Sequence, residues 1–259
     1  MAPVKSADRV LDILELLAST GRAMTHAEIG RRTAIPKSSL TQLLRNLAER
    51  GYVEPLEGSA AFRLGDGAFA VARRGARTRE LVDYARPFLE QLTAATGESS
   101  GLSLLNDDMA ERICSVDSSH AVLYAMHVGV RAPLYANSGG KIFLAWMAAA
   151  EREAYFRRVK LVPLTNKTIL SIAALHRQLH RIKSEGIASS IGEFTPGIVG
   201  VAAPILDIHG KAVAAVGVAL PSARFDDTRQ RLIEQALRNC AQAIGAQASR
   251  RTLSEKAGS

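Results

Sequence analysis

Gly97-Glu98-Ser99-Ser100-Gly101 spells G-x-S-x-G, the pattern of a nucleophile elbow, in which a serine stands exposed between a strand and the helix that follows it. Here the order is reversed. A helical pattern precedes Gly97 and a strand pattern, Leu102–Leu105, follows it, so Gly97 reads as a helix C-cap. His176 and His180 have the i, i+4 spacing of helical metal ligands, but Arg177 stands where a metalloprotease would carry glutamate, and Arg181 adds positive charge to the same face. His26, His120, His127 and His209 show no ligand spacing. Gly139-Gly140-Lys141 is similar to the end of a phosphate-binding loop, yet Tyr135 replaces its first glycine and Ile142 its hydroxyl. Gly65-Asp66-Gly67-Ala68-Phe69-Ala70 matches G-x-G-x-x-A without the parallel strand that would complete a dinucleotide site. Cys114 and Cys240 read as small buried hydrophobes. No catalytic set assembles, and the expectation is a protein that is not an enzyme and uses no metal or cofactor.

Other residues are placed for binding. Pro36 opens a helix whose apolar stripe is Leu40, Leu43, Leu44 and Leu47, and Gly51 ends it. Its opposite face carries Ser38, Gln42 and Arg45, with Lys37, Ser39 and Thr41 near the N-terminus. Amides and hydroxyls suit base edges and cations suit phosphates, although such a face is equally an ordinary solvated surface. The neighbouring elements decide between the two. Val10, Ile13, Leu14 and Leu17 predict a helix over Ser6–Ser19 closed by Gly21, and Thr25-His26-Ala27-Glu28 is a T-x-x-E capping box opening a second helix to Thr33. Ala34-Ile35-Pro36 joins the second helix to the third, and Tyr52–Pro55 and Ala61–Leu64 flank Leu56–Ala60 as strand, turn and strand. This is the order of a winged helix-turn-helix, a reader of double-stranded DNA, with Thr25 and Arg63 as further contact candidates.

The charge agrees in sign. The net charge is +8, and residues 1–80, with 13 basic and 9 acidic side chains, hold half of it. Aromatics make up only 5% of a chain that is 47% apolar, so its cores must rest on aliphatic side chains. Two cysteines make no disulfide framework, the N-terminus does not read as a signal peptide, and no apolar run is long enough to span a bilayer. A cytoplasmic protein without a membrane partner is expected.

The segments SADRVLDILELLAS, MTHAEIGRRTAIPKSSLTQLLRNLAERGYVEP, FRLGDGAFAVAR, RPFLEQLTAATGESSGLSLL, LYANSGGKIFLAW and SEGIASSIGEFTPGIVGVAAPILD, in that order, resemble the IclR-type bacterial transcriptional regulators over nearly the whole chain. The resemblance implies an α+β protein with a winged helix-turn-helix over 1–65, a linker helix over 66–81 and an effector-binding domain with an antiparallel, GAF/profilin-like sheet over 82–253, and residues 254–259 read as a frayed tail. It also implies operator DNA, a small-molecule effector and a second copy of the chain as partners, in dimers or tetramers.

Within the second domain the pattern predicts strands at Leu102–Leu105, Arg112–Val116, Val122–His127, Ile198–Leu206 and Val213–Leu220. It predicts helices at Pro87–Thr96, Lys141–Ala149, Glu151–Arg157 and Ile172–Glu185, and a last one from Asp226. Asn137-Ser138-Gly139-Gly140 leads into a helix, where free N–H groups and the dipole favour a carboxylate. By the resemblance this loop lines the effector pocket, and the stretch from Glu193 through Ile198, Gly200 and Val201 forms the opposite wall. Gly200, Gly217 and Ala219 stand where relatives carry bulkier or polar groups. This implies a roomier, less polar pocket, suited to an aromatic or longer apolar acid rather than to glyoxylate or pyruvate.

Overall fold

Local signals build the first unit. Helix α1 (Lys5–Thr20) buries Ile13 and Leu17. The short strand β1 (Met24–Thr25) leads into α2 (His26–Thr33), which buries Ile29. Helix α3 (Lys37–Glu49) then buries Leu40, Leu44 and Leu47, and with Met24, Ile35 and Val53 these side chains form one core. Thr25 caps α2 as the motif requires: the Glu28 N–H donates to Thr25 Oγ1 at 3.2 Å, and the Thr25 N–H donates to the Glu28 carboxylate at 2.8 Å. Strands β2 (Val53–Pro55) and β3 (Ala61–Leu64) form the wing, and β1, which sequence patterning does not reveal, pairs with the other edge of β3.

The computed structural model describes residues 4–257, with side chains outside 74, 77 and 247–257. The chain divides into two units between Glu80 and Leu81. Helix α4 (Asp66–Thr96) is continuous, whereas the sequence places a break at Arg86-Pro87. A proline inside a helix costs about 3 kcal/mol. Burial of Ala85, Leu89 and Leu92 against the sheet offsets that cost, and Tyr84 Oη donates to the Ile244 carbonyl at 2.7 Å.

The second unit is built on a six-stranded antiparallel sheet. Its strands are β4 (Ser99–Asn106), β5 (Met109–Val116), β6 (Arg131–Pro133), β7 (Ala188–Ile191), β8 (Ile198–Leu206) and β9 (Ala212–Pro221), in the order β6-β5-β4-β9-β8-β7. On one face the C-terminal half of α4 and helix α8 (Asp227–Ala257) cover Leu102, Cys114, Val199, Val201, Val216, Val218 and Leu220. On the other, α5 (Ser138–Trp146), α6 (Ala149–Arg158) and α7 (Ile172–Glu185) pack against Ala110, Ala188, Ala202 and Ala215.

Two expectations need correcting. Residues 122–127 form no strand, because the edge of β5 they would need is taken by β6 and by Val130, whose carbonyl accepts from the Arg112 N–H at 2.9 Å. Helix α8 runs to Ala257, through most of the stretch set apart as a tail.

Candidate functional site

The leucine stripe of α3 fixes which side of the helix is free. Lys37, Ser38, Thr41, Gln42 and Arg45 are exposed and Ser39 is half-buried, so the six share the surface expected of them. Two of the hydroxyls are also engaged internally. Thr41 Oγ1 donates to the Lys37 carbonyl at 2.9 Å and lies 3.0 Å from His26 Nε2, and Thr25 Oγ1 donates to the Glu28 carboxylate. Arg63, on the wing, forms an exposed ion pair with Glu54. Such a pair is worth little and exchanges readily for another anion. The backbone hydrogen bond from Thr25, followed by that from its hydroxyl, leads the causes that hold the Glu28 carboxyl pKa at about 2.

The second unit contains a cavity at the start of α5, with about 700 Å³ of space between its atoms, solvent-facing mouth included. Strand alternation makes its floor. Along β8 and β9 the large side chains Val199, Val201, Val216 and Leu220 point into the α4–α8 core, while Gly200, Ala202, Ala215, Gly217 and Ala219 point the other way and leave room. Asn137, Ser138 and Gly139 form one wall, and Ile198, Phe194 and Thr195 another. Tyr124 and Met126 come from the irregular segment 117–130, with Tyr124 Oη 3.3 Å from Thr195 Oγ1. Asn137 caps α5: its Oδ1 accepts from the Gly140 N–H at 2.8 Å. A β-carbon at Gly140 would sit 2.4 Å from Leu134 Cα, so only glycine fits there.

Of the effector candidates, Asn137, Ser138, Gly139, Ile198, Gly200, Gly217 and Ala219 line this one cavity. Three candidates do not. Val201 is one residue from Gly200 and therefore faces the opposite side of the sheet. Gly140 has its N–H committed to Asn137. The Glu193 carboxylate turns away to Lys141, whose Nζ lies 2.5 Å from Glu193 Oε1 and whose side chain is fully buried. Burial pulls the Lys141 ammonium down and the Glu193 carboxyl up from their ordinary values.

The lining is also more polar than the glycines and alanine suggest, because Ser103, Ser190 and Arg112 contribute to it. Sequence reasoning missed Arg112. Residues 110, 112 and 114 of a regular strand would share a face, yet Ala110 and Arg112 line the cavity while Cys114 lies in the α4–α8 core. A bulge reverses the alternation: Leu102 pairs with Cys114 and Ser103 with Arg112, which leaves Ile113 as the extra residue. No sequence signal marks it.

The apparent nucleophile elbow dissolves. Gly97 closes α4 at φ +71, Glu98 binds Arg224, and Ser99 Oγ accepts from the Ser118 N–H at 3.0 Å. His176 pairs with Glu153 at 3.3 Å, and no metal-binding cluster occurs among the described residues.

A winged helix with an exposed polar face on its third helix, followed by a separate sheet unit with a polar-lipped cavity, defines a DNA-binding regulator of two units. Residues 6–57 match the family described as the IclR helix-turn-helix domain, and residues 75–246 match that described as bacterial transcriptional regulator IclR C-terminal. The HTH-type transcriptional regulator BhcR of Paracoccus denitrificans is 33% identical, over 90% of this chain and 84% of its own. A solved transcriptional regulator from Rhodococcus sp. RHA1 superposes with a TM-score of 0.65 at 28% identity, covering 94% of this chain and 98% of the other. An IclR homologue from Microbacterium hydrocarbonoxydans, solved in complex with 4-hydroxybenzoate, gives 0.61 at 25% identity, over 93% and 98%. The chain belongs to the IclR family of bacterial transcriptional regulators. It is a DNA-binding transcriptional regulator, not an enzyme.

Proposed function

We propose that a small organic acid occupies the cavity at the start of α5 and thereby changes the affinity of the regulator for its operator. The observation that carries this reading is that residues distant in the chain, Asn137, Ser138 and Gly139 at the start of α5 and Ile198, Gly200, Gly217 and Ala219 on β8 and β9, line one cavity whose floor is cleared by the two glycines and the alanine of those strands. The ligand body lies over that floor toward Ile198, with the Asn137-capped start of α5 beside it. The structural relative that holds 4-hydroxybenzoate supports an aromatic acid as one size to try. On the DNA side, Gln42 and Arg45 read base edges while Lys37, Ser38, Ser39 and Arg63 position the phosphates. A single winged helix offers few base contacts, so two copies of the chain act together, joined in part around Arg73–Leu81.

A panel of aliphatic and aromatic carboxylates titrated against operator binding tests the effector. A β-carbon at Gly139 would lie 3.4 Å from Asn137 Oδ1, 3.8 Å from Ala215 Cβ and 4.0 Å from Ser103 Cβ, so a β-carbon is accommodated there and Gly139→Val crowds the floor with the methyl groups it adds beyond that atom. It is expected to abolish the response to the acid that works on the parent. An unchanged response in Gly139→Val would remove the site.

A further inference from the structure

Arg112 stands out among the residues lining the cavity. Its Nε is buried without a hydrogen-bond partner, and among the described residues no carboxylate forms an ion pair with its guanidinium. Asp117 is near enough to be felt electrostatically, yet its Oδ1 accepts from the Met126 N–H and forms no contact with the arginine. The fully buried charges of this unit are matched, Lys141 by Glu193 and Glu98 by Arg224; of the two half-buried arginines whose Nε has no partner, Arg112 and Arg152, Arg112 lines the cavity. A half-buried guanidinium whose inner N–H has no partner carries a desolvation cost that an incoming anion would offset.

The chain also makes room for it. A β-carbon at Gly101 would lie 3.0 Å from Arg112 Nε and 3.1 Å from Met126 Cε, so glycine there is what lets the guanidinium lie across β4. Gly101 pairs in turn with Gly217, on the cavity floor. The bulge at Ile113 completes the device by turning Arg112 toward the cavity and Cys114 away from it.

The geometry points to Arg112 as the anion anchor of the cavity: the occupant presents a carboxylate to its guanidinium, and its uncharged body extends over Gly217 and Gly200 toward Ile198. This rests on the reading that the cavity is the effector site, and it moves the charge contact from the start of α5 to β5. The two positions differ, since Gly139 lies over Ser103 and the guanidinium over Gly101, about 7 Å apart along one face of β4. An arginine fork takes a carboxylate through two parallel hydrogen bonds, which a neutral amide of the same shape cannot match.

The test uses the full-length parent, Arg112→Met and Arg112→Lys. Melting is followed without ligand and with millimolar acetate, benzoate, phenylacetate and their amides. At least one acid is expected to stabilise the parent and its amide not. Arg112→Met should weaken that acid about ten- to hundredfold, with Arg112→Lys between. Without ligand, Arg112→Met should melt at or above the parent temperature, because it removes a half-buried charge whose Nε has no partner. Equal binding of the acid by Arg112→Met overturns the anchor while leaving the cavity as the effector site, and so does equal binding of acid and amide. A ligand-free Arg112→Met that melts several degrees lower makes the arginine structural and overturns the anchor outright. If no acid stabilises the parent, the effector reading falls and the anchor with it.

Discussion

Glu28 and the pair Lys141–Glu193 show what single charges do in this chain. Glu28 closes the capping box of α2, and hydrogen bonds from the Thr25 backbone and hydroxyl, then from Arg22, take its carboxyl from 4.5 to about 2. A carboxyl whose folded value is depressed contributes stability above its unfolded value and loses that contribution as pH falls through the folded one. The stability difference between parent and Glu28→Gln should therefore be full above pH 4.5 and shrink toward pH 2, as read by circular dichroism during acid unfolding. A difference that stays constant across that window would show that another group titrates. Lys141 and Glu193 stabilise one another only as a pair. Removing one partner by Lys141→Met or Glu193→Gln should cost about 3–5 kcal/mol in urea unfolding, while Lys141→Met with Glu193→Leu should recover most of it. A double variant no more stable than either single one would contradict this. The capping box was legible in the sequence because it spans four residues. The ion pair was not, because Lys141 and Glu193 meet only after α5 and the loop behind β7 pack together.

At the scale of elements, alternation explains both the success and the error. The period of two in β8 and β9 is visible in the sequence, and applied strictly it separates Gly200 from Val201, which the candidate site had joined. Arg112 was illegible for the opposite reason. One extra residue in β5 breaks the period, and nothing local announces it. Pro87 looked like a boundary because it costs a helix hydrogen bond, and only tertiary burial of Ala85, Leu89 and Leu92 outweighs that cost. The leucine stripe of α3 was legible throughout, and it sets a prediction for the exposed face. Gln42→Ala and Arg45→Ala should each lose about 1–3 kcal/mol of discrimination between a selected operator and random duplex. Lys37→Ala should weaken both duplexes alike and lower the salt slope by about one. Fluorescence anisotropy over a range of salt concentrations separates the two patterns, and parent-like binding in all three variants would show that α3 is not the reading helix.

At the scale of the whole molecule, the proposal requires that a cavity in one unit and a helix face in the other share a single equilibrium. A ligand can shift DNA affinity only by its differential affinity for the two conformations, and such coupling is commonly about 1–3 kcal/mol, or roughly 5–150-fold. Two copies on one operator are also required, so sedimentation at micromolar concentration should return a dimer or larger species, with a monomer in the presence and absence of DNA counting against the proposal. The most direct test is the affinity of the full-length protein for its selected operator, measured with and without each acid of the panel and repeated in Gly139→Val. The account predicts that at least one acid moves the parent affinity by roughly 5–150-fold and leaves Gly139→Val unmoved. An operator affinity that no acid changes, or that changes equally in both proteins, would contradict it.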